Sequence, residues 1–194
     1  ENGNYSVSLM IENQYDIDTL TRFNFIYVLP PTYSHVIPLN EGWSGISSFV
    51  SPVFPGIEKI FSGIEDEVRF AVNEQGVYWP DMTINTIGDW DPSMGLTIDM
   101  KTDAQITIEG YQTLDNPVDM VQGWNIFPVL RSCPLASESL GSILENEMEL
   151  VKETAGWKIY WPAMNISSLD TLRPGNAYLI YMNQQTSFSF PACD

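Results

Sequence analysis

"VRFAVNEQGVYWP" (residues 68–80) and "MELVKETAGWKIYWP" (residues 148–162) close on the same tripeptide, Tyr78-Trp79-Pro80 in one and Tyr160-Trp161-Pro162 in the other, 82 positions apart. The first reads as a strand, a Gly-containing turn and a second strand, with Val68, Phe70 and Val72 alternating onto one side. An internal repeat dictates how a chain buries its core, so the extent of this likeness decides the architecture.

The likeness runs outward in both directions. Ahead of the two stretches lie "EGWSGISSFV" (41–50) and "QGWNIFPVL" (122–130), which align Gly42-Trp43 with Gly123-Trp124 at an offset of 81. Between these landmarks Ile57, Ile60, Phe61 and Ile64, at spacings of three, one and three, mark a helix face opened by Pro55-Gly56. Pro134 and the stretch around Leu140, Ile143 and Leu144 repeat that arrangement. Behind the tripeptides, "INTIGDWDPSMGLTIDM" (84–100) and "AQITIEG" (104–110) match "ISSLDTLRPGNAYLIYM" (166–182) and "TSFSFPA" (186–192) in order. The expected fold is therefore α+β: two homologous repeats, 39–110 and 121–194, joined by a linker at 111–120, with about five short strands and one helix each. A unit this small can hardly cover its own sheet, so the copies are expected to pack pseudo-symmetrically, leaning on each other through their aromatic landmarks.

Residues 1–28 follow another pattern. Tyr5, Val7, Leu9 and Ile11 alternate with Ser6 and Ser8, a polar "ENQYD" turn (12–16) follows, and a second strand ends "FNFIYV" (23–28). This predicts a β-hairpin with an uncovered apolar face and open edges, to be completed by further sequence or by a neighbouring sheet. "LPPTYSHVIP" (29–38) has the proline content of a stiff linker, and His35 within it is expected to be incidental or structural.

Eight Lys and Arg against 25 Asp and Glu leave a formal charge of -17, which repels phosphate backbones and anionic membrane surfaces; nucleic acid is not an expected partner. No apolar run approaches the roughly 20 residues of a membrane-spanning helix, so membrane insertion is not expected. The opening "ENGNYSV" has no initiator Met, basic segment or apolar segment and reads as a processed chain or an excised piece. Cys133 and Cys193 are compatible with one disulfide or two buried thiols; because they follow the first and last strands of the second copy, a bond there would staple the chain end to the sheet. The first copy has Pro52 near that place and no cysteine.

Catalysis needs groups in mutual reach that exchange protons or attack, and no Gly-x-Ser-x-Gly, His-Glu-x-x-His, Cys-x-x-Cys or Gly-rich phosphate loop occurs. The acidic runs "DWD" (89–91) and "EDE" (65–67) lack the glycine and distal glutamate of a calcium loop. No catalytic residue, cofactor or metal is expected. The candidate binding residues are Tyr78, Trp79, Tyr160 and Trp161. Successive strand side chains point to opposite faces, so one of each Tyr-Trp pair enters the core and the other reaches the surface. A Trp that braces a repeat is more often core or inter-repeat packing; exposed, it stacks on sugar rings or anchors a protein partner. Trp43 and Trp124 carry the same two readings, while Trp90 and Trp157, present in one copy only, are expected to be peripheral.

Gly3, Tyr5, Val7, Leu9, Ile11 and Asn13, with Ile26 and Val28, resemble the last two strands of a PKD domain, an immunoglobulin-like β-sandwich. The Gly-Trp and Tyr-Trp-Pro landmarks, Val151-Lys152, and Ile84-Asn85 with Ile87-Gly88 resemble a tandem repeat module of secreted and surface proteins of Bacteroidetes, often found beside PKD domains and before a type IX secretion sorting domain. That likeness covers 39–192. The sequence departs from it at Gly95-Leu96, Ala177-Tyr178, "AVN" (71–73) and "ISSLDTL" (166–172). The resemblance implies a non-catalytic extracellular structural or adhesion module, part of a longer polypeptide, meeting a glycan or surface protein. A carbohydrate-binding module using exposed Tyr and Trp, or an accessory domain of a secreted hydrolase, are the alternatives. "DTL" at 18–20 and 170–172 looks like the O-glycosylation acceptor of such proteins, with Thr19 and Thr171 as acceptors.

Overall fold

The structure, a computed structural model, describes residues 3–113 and 117–193. The chain divides into two compact units, one ending at Thr32 and one starting at Tyr33.

The first unit is a hairpin of β1 (Gly3–Glu12) and β2 (Ile17–Val28). Its register puts Tyr5 opposite Ile26, Leu9 opposite Leu20 and Val7 opposite Arg22, so one face is largely apolar. The other carries Ser8, whose hydroxyl meets that of Thr21 at 2.7 Å. Asn13 makes the turn locally: its Oδ1 accepts the backbone N–H groups of Tyr15 and Asp16 at 2.8 and 3.1 Å, the side-chain mimicry of a turn for which Asn is selected. Leu9, Ile11 and Leu20 remain exposed.

In the second unit the chain first forms β3 (Tyr33–Leu39), β4 (Gly42–Ile46), β5 (Val50–Pro52) and α1 (Ile57–Ile60). It continues through β6 (Val68–Val72), β7 (Val77–Trp79), β8 (Ile84–Asn85), β9 (Leu96–Met100) and β10 (Ala104–Gln112). The second copy supplies β11 (Val118–Met120), β12 (Gly123–Pro128), β13 (Leu135–Ala136), α2 (Ser137–Leu144) and β14 (Met148–Glu153). It ends with β15 (Ile159–Trp161), β16 (Ile166–Ser167), β17 (Thr171–Leu172), β18 (Ala177–Met182) and β19 (Thr186–Phe188).

One antiparallel sheet runs β4-β9-β6-β7-β8 and another β12-β18-β14-β15-β16, the same order in equivalent strands. Each backs onto a smaller sheet, β3-β10-β5 in the first copy and β11-β19 in the second. Each copy has its own core. Ile37, Val50, Phe61, Ile98 and Ile108 fill the first; Met120, Phe127, Leu140, Ile180 and Phe188 fill the second.

The fold class departs from the α+β expectation. The protein is β-rich, and its two described α-helices have only four and eight residues. The spacing of Ile57, Ile60, Phe61 and Ile64 does aim apolar groups at the core, but one turn suffices for that. Gly56 offers no capping side chain, Gly63 turns the chain at φ 90°, and so short a helix does not offset its nucleation cost alone. The linkers also shrink. Residues 33–38 belong to β3, paired with β10 from Leu39↔Ala104 to Tyr33↔Gly110, so Pro38 sits where an edge strand tolerates it, while Pro30 and Pro31 precede the strand. Tyr111 and Gln112 belong to β10 and 118–120 to β11; residues 114–116 lie outside the described residues.

The copies meet in a self-complementary way, β4 against β18 and β9 against β12, which is what a twofold relation between equivalent strands requires. Small residues make the seam. A Cβ on Gly45 would collide with the Ala177 carbonyl and the Thr154 hydroxyl, and one on Gly95 would lie 2.7 Å from Ile126 Cγ2 and 2.8 Å from Ala177 Cβ. Ser47 locks the contact: its N–H donates to the Gly175 carbonyl at 3.0 Å, its hydroxyl donates to the Asn176 carbonyl at 2.5 Å and accepts the Val129 N–H at 3.0 Å. The aromatic landmarks expected to brace the copies make their ring contacts within their own copy instead.

Cys133 and Cys193 are disulfide-bonded. In the first copy the matching place is a strand ladder, Gly110↔Pro52 to Gln112↔Val50. The second copy has a last strand of three residues instead of nine, and the covalent bond stands where those hydrogen bonds stand in the first. Such a bond points to an oxidising environment.

Candidate functional site

The tripeptides settle onto the two faces of their sheets in the same way. Tyr78 turns inward, 4% exposed, and stacks on Phe61 at 5.7 Å with planes 13° apart. Burial, and after it the carboxylates of Glu65 and Glu58, push its hydroxyl above its ordinary titration range. Tyr160 packs on the second core, its ring against Gly141 of α2, where any Cβ would lie 2.6 Å from the Tyr160 Oη. Trp79 and Trp161 turn the other way. Trp79 is 36% exposed, and Trp161 is half-buried, its Nε1–H donating to Glu149 Oε1 at 2.8 Å.

On that outward face the register builds a row across each sheet. In the first copy Trp43 lies opposite Asp99, Asp99 opposite Phe70, and Trp79 opposite Ile84. Phe70 bridges the two tryptophans, edge-on to Trp43 at 5.0 Å and tilted against Trp79 at 6.1 Å. In the second copy the row is Trp124, Tyr181, Leu150, then Trp161 opposite Ile166, with Trp124 edge-on to Tyr181 at 5.3 Å. The edge-on contacts are the geometry that ring quadrupoles favour. Trp43 and Trp124, on edge strands, are the most open members at 48% and 53% exposure.

Asp99 sits beneath the first row, buried, with Oδ2 2.6 Å from Arg69 Nη1 and Oδ1 without a partner. In the second row Tyr181 takes the place of Asp99 and Leu150 that of Phe70, so the two rows share their tryptophans and differ in the middle ring and in charge. Among the described residues the side-chain partner of Asp99 is Arg69, which stays charged. Among the described residues no three His, Cys, Asp or Glu side chains cluster as metal ligands do. The arrangement offers ring surface for binding.

The remaining expectations fall as follows. Trp157 is exposed, but Trp90 is fully buried, its Nε1–H donating to the Met94 carbonyl at 2.9 Å. Trp90 fills the first core behind α1, a role that its occurrence in one copy concealed. His35 is half-buried in β3, its ring 4.3 Å from that of Phe49 and Nδ1 3.1 Å from Ser48 Oγ, and burial lowers its pKa. Thr19 is exposed in β2 and Thr171 half-buried in β17. Phe70, Tyr181 and Asp99 were not among the sequence candidates; their signal was strand register with Trp43 and Trp124, which needs the pairing to be known. No family model, curated protein or solved structure matches the chain.

Proposed function

We propose that the chain is a non-catalytic adhesion or display module of a longer secreted or cell-surface protein, with the two outward aromatic rows as its contact surface. The observation that carries this is the duplicated placement of the rings: in both copies the Gly-Trp and Tyr-Trp-Pro tryptophans leave the core and line up on one open sheet face. Rows of partly exposed aromatics are costly to leave in water and mark contact surfaces. The disulfide supports an extracellular location, and the bare apolar face of the β1–β2 hairpin supports a longer polypeptide that covers it. The likeness to tandem modules of type IX secretion cargo points the same way.

The test is adhesion of bead-displayed protein to surfaces coated with glycans or with surface proteins. Replacing Trp43, Trp79, Trp124 and Trp161 together by Ala is expected to abolish adhesion while the circular dichroism spectrum is kept. Unchanged adhesion, or none by the wild type, removes the rows from the function and leaves a spacer. The partial exposure of Trp79 is as compatible with a glycan as with a protein partner; a Trp buried in both copies would have closed the glycan route.

A further inference from the structure

Arg131 is aimed at a sulfur. Its Nε–H and Nη2–H donate to Cys133 Sγ at 3.0 and 2.6 Å, and Nη2 also donates to the Ala192 carbonyl at 3.3 Å. A disulfide sulfur is a weak acceptor, so a staple gains little from a guanidinium held in this way. A thiolate gains far more, because an adjacent Arg is one of the surroundings that lower a cysteine's pKa. The two ion pairs among the described residues, Arg69–Asp99 and Lys101–Asp81, leave Arg131 out. Its placement therefore suits Cys133 as a thiolate better than Cys133 in the bond.

The two sulfurs differ in access. Cys133 is half-buried with Arg131 against it, whereas Cys193 is exposed, with Ser132 Oγ 3.7 Å from its Sγ. Cys193 borders a cleft of about 310 Å³ that Cys133 does not line, walled by Leu130, Phe190 and Pro191 and, from the first copy, Gln112. Phe190 stacks on Phe127 at 5.5 Å and meets Phe188 edge-on at 4.8 Å, so the segment ahead of Cys193 is anchored in the core independently of the bond. Opening the bond therefore frees only a few residues. In the first copy the same place is the Gln112↔Val50 end of a strand ladder and holds no sulfur.

We infer that Cys133 and Cys193 form a thiol–disulfide exchange site, opened by a small aliphatic thiol that enters the cleft and attacks Cys193. The incoming thiolate bonds to Cys193 Sγ as the bond between the two Sγ atoms breaks, and the electron pair leaves on Cys133 Sγ as a thiolate held by Arg131. Exchange is faster when the leaving thiol has the lower pKa, which assigns departure to Cys133 and modification to Cys193. Return attack by Cys133 on the mixed disulfide expels the thiol and restores the bond, so the cycle consumes no oxidant. The site lies apart from the aromatic rows and does not rest on the adhesion reading. A suitable probe is 2-mercaptoethanol, which is uncharged and so is not repelled by a chain of formal charge -17.

The test exposes the whole folded chain to 2-mercaptoethanol at neutral pH, quenches with iodoacetamide and maps the thiol adduct and the alkylated cysteine by peptide mass. The adduct is expected on Cys193 and the alkyl group on Cys133, by about tenfold or more over the reverse, with the circular dichroism spectrum kept. Arg131→Gln is expected to slow opening by about tenfold or more, and Arg131→Lys to keep part of the rate because it keeps the charge. Cys193→Ser leaves Cys133 as a lone thiol, whose alkylation rate is expected to rise with pH through a midpoint below the ordinary value of about 8.5. Adding Arg131→Gln in that background should move the midpoint up, which a purely structural Arg131 would not do. The midpoint in Cys193→Ser needs no change at Arg131, so it decides the question should Arg131→Gln misfold. An adduct on Cys133, opening no slower in Arg131→Gln, or a Cys133 midpoint at or above about 8.5 overturns the inference. Opening that proceeds only at the rate of global unfolding in urea also overturns it and leaves a structural staple.

Discussion

Thr83 and Asn165 close the same turn after the two Tyr-Trp-Pro motifs, both left-handed, at φ 52° and 53°. Asn tolerates that region; a β-branched Thr is strained there. Thr83→Asn is therefore expected to raise unfolding free energy by about 1 kcal/mol, read as a shift in urea midpoint at constant slope. Tyr78 and Trp79 are neighbours with opposite duties. Tyr78→Ala should cost about 3–5 kcal/mol by emptying the place beside Phe61, whereas Trp79→Ala should cost well under half of that and be felt in adhesion. For His35 the sign is set by burial. The folded state disfavours the charged ring, so its contribution is complete above the ordinary value of 6.5 and is lost as pH falls through the lowered folded value. Urea midpoints between about pH 7 and pH 5.5 should fall less steeply in His35→Gln than in the wild type.

At the scale of elements the informative contrast is between copies. Where β5 pairs with the end of β10 by hydrogen bonds, the second copy has Arg131, Cys133 and the chain end, with Arg131 Nη2 donating to the Ala192 carbonyl at 3.3 Å and the disulfide beside it. The bond closes a loop with a sequence separation of 60, and its loss should cost about 2–4 kcal/mol. Cys133→Ser with Cys193→Ser, compared by urea unfolding with the wild type in the presence and absence of reductant, should show that loss, and the double variant should be indifferent to reductant. The cysteine spacing located this staple in the second copy. That it replaces a strand pairing was not legible, because β5 and the last turn of β10 have no sequence marker apart from their partners. The helix of the first copy failed differently: its apolar spacing was real, but the length over which backbone bonds continue is set by Gly56 and Gly63 and by the sheet waiting behind.

At the scale of the molecule, two like sheets are held together by absences of side chain. Gly45 and Gly95 are related positions of contact rather than of sequence, each pressed on Ala177. Gly45→Val should destabilise by about 1–3 kcal/mol or more, whereas the same change at Gly88, at φ 70° with open space around its would-be Cβ, would act through backbone strain alone. Thermal scans of both variants, with nuclear magnetic resonance of Ser47 and Asn176 as reporters of the seam, separate the two mechanisms.

The amino-acid sequence alone determined that the second unit is a duplication, that its strands follow one order twice, that one member of each Tyr-Trp pair faces outward, and that the cysteines lie where a staple works. Those features are local or periodic: alternation, turn residues and repeated spacing survive in one dimension. The tertiary structure alone decided which member faces outward, that Trp90 is core, that small residues and not rings form the seam, and that Cys193, not Cys133, borders the cleft at the chain end. Each of these depends on which strands lie side by side, and that is settled by long-range register and by how closely two backbones can approach.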